Sequence, residues 1–159
     1  MNKALLLDRD GTINIDKHYV YKKEDFILVN GICEAIKRYN QQGFIVVVIT
    51  NQSGVARGLF TEQDVILLHE YADRLLQDNG AYINKWYYCP HHPIYGLGQY
   101  KINCNCRKPN TGMIEQVIED FNIDVKQSLL IGDKSEDIEC GEKTGIKSIY
   151  INEFLNFKY

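Results

Sequence analysis

Leu5-Leu6-Leu7-Asp8-Arg9-Asp10-Gly11-Thr12 is the stretch of the sequence that decides the fold. Three apolar residues, enough for a short buried strand, run directly into two aspartates and a glycine. Similar junctions follow later in the chain, at Val48-Ile49-Thr50-Asn51-Gln52-Ser53-Gly54 and at Leu129-Leu130-Ile131-Gly132-Asp133-Lys134. Apolar strands that end in polar residues are typical of parallel sheets, where ligands bind outside the carboxyl ends of the strands.

The rest of the chain alternates short apolar runs with segments of helical periodicity. Strands are predicted at residues 3–7, 44–49, 85–88, 128–131 and 147–151. Amphipathic helices are predicted between them, and we expect Thr61 and Ser135 to cap the second and fourth of these helices. This alternation predicts an α/β fold in three layers, a Rossmann-like parallel sheet with helices on both faces. We expect a single domain over residues 1–159.

Composition and charge exclude several classes of protein. The chain is 45% hydrophobic and 25% charged, as ordinary soluble globular proteins are. Its net charge of -3 argues against a nucleic-acid surface, which would select basic patches. No apolar run reaches membrane-spanning length and no export signal is evident. We therefore expect a cytoplasmic monomer with a small-molecule partner and neither nucleic acid nor membrane.

Carboxylates at one sheet edge indicate a particular chemistry. Asp8, Asp10 and Asp133 would repel each other there unless a hard divalent cation joined them, and magnesium suits few protein carboxylates together with a substrate phosphate. The Thr50 hydroxyl, backbone N–H groups and a lysine could hold a phosphate monoester. One carboxylate could then attack phosphorus to form an aspartyl-phosphate, while a second moves the proton.

These junctions resemble the ordered motifs of the haloacid dehalogenase (HAD) superfamily of phosphatases, over about residues 4–151. The matching segments are Asp8-Arg9-Asp10-Gly11-Thr12, Thr50-Asn51-Gln52-Ser53-Gly54, Arg107-Lys108-Pro109 and Gly132-Asp133-Lys134. The resemblance implies that Asp8 is the nucleophile and Asp10 the general acid/base. It further implies that Thr50 binds the phosphoryl group and Lys108 neutralises its charge. The implied magnesium ligands are the Asp8 and Asp133 carboxylates and the backbone carbonyl of Asp10.

A cluster of cysteine and histidine residues comes just before Arg107. Cys89-Pro90-His91-His92-Pro93 is followed by Cys104-Asn105-Cys106. Two close pairs of such ligands predict a closed tetrahedral zinc site, which is structural because it leaves no position for water. His91 and His92 are alternatives for the histidine ligand, and the family resemblance favours His91. The predicted zinc ligands are therefore Cys89, His91, Cys104 and Cys106.

Within the superfamily, the chain resembles the branch that removes the 7-phosphate of D-glycero-D-manno-heptose 1,7-bisphosphate in nucleotide-activated heptose synthesis, for lipopolysaccharide or another surface glycan. Residues 50–58 and the zinc loop carry this likeness. It implies a capless fold, since no inserted stretch is long enough to form a cap domain. His18 stands where glycine is common in this branch, so we expect an altered loop there. The implied substrate contacts are Asp16, Tyr19, Thr50, Asn51, Gln52, Ser53, Arg107, Lys108 and Lys134.

Three other interpretations stay open from the sequence. Histidinol-phosphate phosphatases share the same motifs and metal loop. A signalling receiver domain also gathers carboxylates, a threonine and a lysine at strand ends, although the position of Asp10 two residues after Asp8 favours turnover. A zinc-stabilised interaction module would not need the catalytic set. Both anomers of the heptose substrate, and hence the ADP- and GDP-heptose pathways, also stay open.

Overall fold

The computed structural model describes residues 1–156. Within these residues one parallel sheet contains five strands, β1 (Ala4–Leu7), β2 (Ile45–Asn51), β3 (Lys85–Cys89), β4 (Leu129–Gly132) and β5 (Lys147–Tyr150). Their spatial order is β3-β2-β1-β4-β5, and every neighbouring pair is parallel. The predicted sheet is confirmed, with β2 running slightly further than expected, to Asn51.

Helices follow or connect these strands. In the same part of the chain they are α1 (Ile32–Gln41), α2 (Glu62–Asp78), α3 (Gly112–Phe121), α4 (Ser135–Thr144) and α5 (Ile151–Asn156). Thr61 caps α2 as predicted, because its Oγ1 accepts the N–H of Asp64 at 3.1 Å and the Asp64 carboxylate accepts the Thr61 N–H at 2.9 Å.

The predicted cap of α4 is wrong. Ser135 is the first residue of the helix rather than its cap, and the residue before the helix is Lys134. The side chain of Asp137 reaches back from the first turn, where its Oδ2 accepts the N–H of Lys134 at 3.2 Å. A carboxylate in the first helical turn also faces the positive end of the helix dipole, which favours it there.

Strand side chains alternate between two cores, one on each face of the sheet. Leu5 and Leu7 of β1 lie in the core that is covered by α1, α2 and α5. Ala4 and Leu6 lie in the opposite core, which is covered by α3 and α4. Each fully buried leucine contributes roughly 1.5–3 kcal/mol. Burial on both faces explains why the strands are continuous apolar runs, and it makes the sheet a firm support for residues at its edge.

The long connection from β3 to α3, which contains the predicted zinc loop, is tied to the start of α2. The Glu62 carboxylate accepts hydrogen bonds from the hydroxyls of Tyr88 and Tyr100, both at 2.8 Å. No cap domain covers the carboxyl ends of the strands in residues 1–156. None of the helices in residues 1–156 is both long enough and apolar enough to cross a membrane.

The loop after β1 contains two consecutive non-glycine residues in the left-handed region. His18 has φ 61° and Tyr19 has φ 55°. The N–H of His18 donates to the Asp16 carboxylate at 2.9 Å, which helps to hold the turn. A side chain costs about 1–2 kcal/mol in this conformation, whereas glycine adopts it freely. His18 therefore occupies a conformation that glycine would adopt without strain.

His18→Gly should stabilise the protein by about 0.5–1 kcal/mol, because relief of the left-handed strain exceeds the extra entropy of glycine in the unfolded chain. Urea unfolding followed by circular dichroism measures this change. Lys17→Gly is the matched control, since the φ of Lys17 is not positive, and it should destabilise the protein. If both substitutions destabilise the protein equally, strain at His18 is not the cause.

Candidate active site

The carboxyl ends of three adjacent strands bring the predicted residues together. β1 lies between β2 and β4, so Asp8, Thr50 and Asp133 occupy neighbouring positions at one edge. The N–H of Asp8 continues the ladder by donating to the carbonyl of Ile131 at 3.0 Å. Asp8 and Thr50 are both buried, with 6% and 1% of their surface exposed. The sheet therefore places these side chains before any ligand is bound.

Lys108 forms the electrostatic centre of this edge. Its Nζ donates to Asp8 Oδ1 at 2.9 Å, to Asp137 Oδ1 at 2.7 Å and to the carbonyl of Ile49 at 2.8 Å. Burial alone would lower the pKa of Lys108, but the two carboxylates beside it raise its pKa above the ordinary value. Lys108 is therefore a permanent cation, and it shares its charge between Asp8 and Asp137.

Asn51 fixes the backbone that carries this lysine. Its Nδ2 donates to the carbonyl of Lys108 at 3.0 Å, and its Oδ1 accepts the N–H of Lys108 at 2.9 Å. Both hydrogen-bonding ends of the Asn51 amide are thus occupied by one residue. The sequence led us to expect Asn51 as a substrate contact. The structure shows it on the wall of the cleft but engaged with Lys108.

Asp137 is the main residue that sequence reasoning missed. It is 1% exposed, and it uses one oxygen to cap α4 and the other to bind Lys108. Its close approach also explains Gly132, where a Cβ would lie 2.3 Å from Asp137 Oδ2. The signal in the sequence was its place in the first turn of α4, which begins two residues after Asp133.

One oxygen from each of Asp8, Asp133 and Asp137 lies within 4.8 Å of the others, so these carboxylates could hold a metal ion. Oδ1 of Asp133 is buried without a hydrogen-bond partner in the described residues. Burial and the adjacent Asp8 carboxylate raise the pKa of Asp133 to about 7, and burial also raises the pKa of Asp8. An oxygen-rich group with an unpaired acceptor fits a hard divalent cation such as Mg²⁺.

Gly11 makes room for this group. Its φ is +87°, and a Cβ at this position would lie 2.0 Å from Asp133 Oδ2. Any side chain here would therefore meet both backbone strain and a direct collision with a candidate metal ligand. Packing against Asp133 thus explains why residue 11 is a glycine, independently of the family resemblance.

The carboxylate of Asp10 lies apart from the metal-ligand group. Its Oδ1 accepts hydrogen bonds from Arg9 Nη2 and Asn14 Nδ2, both at 3.0 Å, and its Oδ2 accepts one from Gln52 Nε2 at 2.9 Å. Burial by itself would raise the pKa of Asp10, but the Arg9 charge and these hydrogen bonds lower it. Gln52 also donates to Thr50 Oγ1 at 2.8 Å, which connects the predicted proton carrier to the predicted phosphate contact.

Contacts with Val20 and His69 hold Arg9 in place. It is fully buried, and it donates to the carbonyl of Val20 at 2.8 Å. Its Nη1 lies 3.3 Å from Nε2 of His69, whose ring stacks on Trp86 with the centroids 4.4 Å apart. Burial and the Arg9 charge lower the pKa of His69 to about 3, so the imidazole is neutral. His69 thus lies in the packing that supports Arg9.

A cleft of about 250 Å³ opens above these buried groups. Of the predicted substrate contacts, all but the deeper Thr50 and Lys108 line it, and they are Asp16, Tyr19, Asn51, Gln52, Ser53, Arg107 and Lys134. Asp10 lies on the same wall. The structure adds four lining residues to the predicted set: His18, Gly54, Arg57 and Glu136.

The four predicted zinc ligands form a second cluster. The Sγ atoms of Cys89, Cys104 and Cys106 lie 2.7–3.5 Å apart, and His91 Nδ1 lies 3.7 Å and 3.4 Å from two of them. The hydrogen bond between Cys106 and Cys89 lowers the pKa of the Cys106 thiol to about 5. Three sulfurs and one imidazole nitrogen gathered in one place form the donor set of a tetrahedral zinc site.

His92 does not belong to this cluster. Its Nδ1 accepts the N–H groups of Ile94 and Tyr95, at 3.1 Å and 3.0 Å. The structure therefore resolves the choice between the two adjacent histidines in favour of His91. The cluster lies immediately before Arg107 and Lys108 in the chain, so an ion there would fix the approach of both residues to the sheet edge.

Comparison with known proteins places these features in a family. Residues 105–153 match the family model described as HAD-hydrolase-like. A D-glycero-beta-D-manno-heptose-1,7-bisphosphate 7-phosphatase from Haemophilus ducreyi is 47% identical over 147 residues, which are 92% of this chain and 80% of the relative. A D-glycero-alpha-D-manno-heptose-1,7-bisphosphate 7-phosphatase from Burkholderia mallei is 42% identical over 145 residues, covering 91% of this chain and 77% of the relative.

Solved structures agree with these relatives. The D,D-heptose 1,7-bisphosphate phosphatase from B. bronchiseptica, complexed with magnesium and phosphate, superposes with a TM-score of 0.82 at 32% identity. The match covers 92% of this chain and 78% of that chain. These similarities do not favour the histidinol-phosphate alternative, and they disfavour the receiver domain and the inactive interaction module.

The metal-free protein should lose stability as the pH rises from about 4 to about 7. A carboxyl group with a raised pKa in the folded state binds its proton more tightly there than in the unfolded chain. The contribution of Asp133 to stability is therefore largest at low pH and is lost as the pH rises toward about 7.

Thermal unfolding in a chelator, measured at several pH values, checks this dependence. Asp133→Asn should show a flatter pH profile, and excess Mg²⁺ should raise the melting temperature of the wild type at neutral pH far more than that of the variant. Parallel pH profiles with and without Asp133 would contradict the assignment.

Proposed function

The chain belongs to the HAD superfamily of phosphatases, among the heptose 1,7-bisphosphate 7-phosphatases, and from this we propose that it hydrolyses the 7-phosphate of D-glycero-D-manno-heptose 1,7-bisphosphate. The observation that carries the proposal is the buried ion pair between Lys108 and Asp8, at a strand end beneath a cleft that Arg57, Arg107 and Lys134 line. A nucleophilic carboxylate beside a fixed cation is what attack on an anionic phosphate requires. The reaction belongs to nucleotide-activated heptose synthesis.

Asp8 acts as the nucleophile. Its carboxylate oxygen forms a bond to phosphorus while the bond from phosphorus to the sugar oxygen breaks, which gives an aspartyl-phosphate and a sugar alcohol. Water then attacks the same phosphorus and releases inorganic phosphate, which restores the carboxylate. The Lys108 charge and the Thr50 hydroxyl offset the negative charge that collects on the phosphoryl oxygens in both steps.

Asp10 moves the protons. It protonates the leaving oxygen of the sugar in the first step and takes a proton from water in the second. Its hydrogen bonds to Arg9, Asn14 and Gln52 favour the carboxylate form, which suits the second step. The arrival of a phosphate dianion places like charge nearby and raises the pKa of Asp10, which suits the first step.

The carboxylates of Asp8 and Asp133 and the backbone carbonyl of Asp10 are proposed to hold the magnesium ion. Asp137, which also contributes to the carboxylate group, instead uses its oxygens for Lys108 and the α4 cap. Magnesium in such a site supplies charge neutralisation for the phosphoryl group. The unpaired Oδ1 of Asp133 is the observation that supports an ion at this position.

Zinc held by Cys89, His91, Cys104 and Cys106 is proposed to be structural. Its four protein ligands leave no position for water, so it has no direct part in the chemistry. Its effect is to fix the segment that enters the site as Arg107 and Lys108. The remaining proposals are a single phosphatase domain over residues 1–159, a monomeric state and a cytoplasmic location. The absence of nucleic-acid and membrane partners also stays a prediction.

Purified protein with Mg²⁺ should release phosphate from heptose 1,7-bisphosphate far faster than from histidinol phosphate. Asp8→Asn should lower the rate by about 10³-fold or more, because the amide cannot form the acyl phosphate. Phosphate release from both heptose anomers and from histidinol phosphate, measured in parallel, also identifies the preferred anomer. A preference for histidinol phosphate, or full activity in Asp8→Asn, would overturn the proposal.

Cys104→Ser should reduce bound zinc from about one ion per chain to a small fraction of that, because a structural site depends on all four ligands. Activity should fall with it, since Lys108 loses its fixed approach. Metal analysis and phosphate release on the same samples measure both effects. Cys33→Ser is the matched control, because Cys33 lies outside the cluster, and it should retain its zinc. Full zinc occupancy in Cys104→Ser would exclude Cys104 as a ligand.

A further inference from the structure

Arg57 is fixed on the wall of the cleft by two aromatic rings from separate loops. It lies in the loop that follows β2. The carbon at the centre of its guanidinium is 4.7 Å from the ring centroid of Tyr95 and 5.8 Å from that of Tyr19. Tyr95 packs in turn against His92, with the ring centroids 5.0 Å apart. Stacking of this kind orients a guanidinium while leaving its N–H groups free in the plane of the fork.

The charge of Arg57 has no carboxylate partner. No ion pair of Arg57 occurs among residues 1–156, and its one side-chain hydrogen bond is a long contact of 3.4 Å from Nε to Ser53 Oγ. Arg107 lines the same cleft, has no ion pair in the described residues either, and buries an Nη1 atom without a partner. Two guanidiniums thus line one cavity, and both have donors available for an anion.

The third cation of the cleft is placed differently. Burial by itself would lower the pKa of Lys134, yet the surrounding carboxylates of Asp8, Asp133, Asp16 and Glu136 raise it. Its charge is therefore already shared with the carboxylates at the reacting end of the cleft. The two arginines have no ion pair among residues 1–156, so their donors can take a second anion.

We propose that Arg57 is a specificity-determining residue that binds the phosphate on C1 of the substrate, the group that the enzyme leaves in place. The proposal rests on the function argued above, because a sugar bisphosphate carries this second anion. The planar fork of Arg57, stacked between Tyr19 and Tyr95, donates two N–H groups to the C1 phosphate opposite Arg107. The reacting phosphate occupies the other end, above Lys108.

The test compares heptose 1,7-bisphosphate with heptose 7-phosphate, which lacks only the C1 phosphate. Arg57→Gln should lower the ratio of the two kcat/KM values, bisphosphate over monophosphate, by about 10- to 100-fold, the usual value of a charge-assisted hydrogen bond. The change should appear mainly in KM, since the C1 phosphate takes no part in the bond-breaking step. Arg57→Lys should recover part of the ratio, because lysine keeps the charge but lacks the fork and the stacking.

Arg74→Gln serves as the matched control, because Arg74 is an exposed arginine outside the cleft, and it should leave the ratio unchanged. An equal fall with both substrates in Arg57→Gln would show that Arg57 only supports the loop, and an unchanged ratio would show that it does not contact the phosphate. Either result overturns the proposal.

Failure of the proposed function would be visible separately. If the wild type does not release phosphate from heptose bisphosphate, the substrate assignment fails, and the same ratio is then measured with fructose 1,6-bisphosphate and fructose 6-phosphate. If neither pair is turned over, calorimetry of glucose 1-phosphate binding to the wild type and to Arg57→Gln decides the inference. Weaker binding to the variant supports the anion subsite, and equal binding overturns it.

Discussion

The site depends on one buried cation. Lys108 is 2% exposed, and its ammonium group lies between Asp8 and Asp137. Removal of one partner from such a group typically costs about 3–5 kcal/mol, because the remaining charge is buried without compensation. The structure surrounds this lysine with constraints: Asn51 holds its backbone on both sides, Ile49 accepts from its ammonium group, and the Cys/His cluster lies just before it in the chain. Asp8, the proposed nucleophile, is thereby placed by its counter-ion as much as by its strand.

Both signs of charge line the cleft, and carboxylates predominate at the sheet edge below it. Carboxylates crowd the end at the sheet edge, where burial raises the pKa of Asp8 and Asp133 and where a cation relieves the repulsion. Arginines without carboxylate partners occupy the cleft wall. A metal ion would neutralise the carboxylates, and the phosphates of the substrate would neutralise the arginines. Substrate recognition and activation of the reacting group therefore both depend on side chains whose charge is not balanced within residues 1–156.

Much of this arrangement could be predicted from the sequence. Continuous apolar strands and the polar residues after them specified the sheet and placed Asp8, Thr50 and Asp133 at one edge, because parallel strands end on the same side. The spacing of the cysteines likewise predicted their cluster. Asp137 was missed because its contact with Lys108 joins distant parts of the chain. The engagement of Asn51 with Lys108 and the stacking of Arg57 were missed for the same reason: each depends on how loops meet in space, which local pattern does not encode.

The attachment of the zinc loop has a consequence for how the protein ages. The loop leaves from β3, which is an edge strand, and its base is also held to α2 by the bonds of Tyr88 and Tyr100 to Glu62. Loss of the proposed zinc ion would therefore open this local segment, while the other four strands keep their cores. Oxidation of a cluster thiol would have the same result. Damaged molecules would stay folded and soluble but lack an ordered Lys108, so that the folded fraction of an old sample would overstate its active fraction.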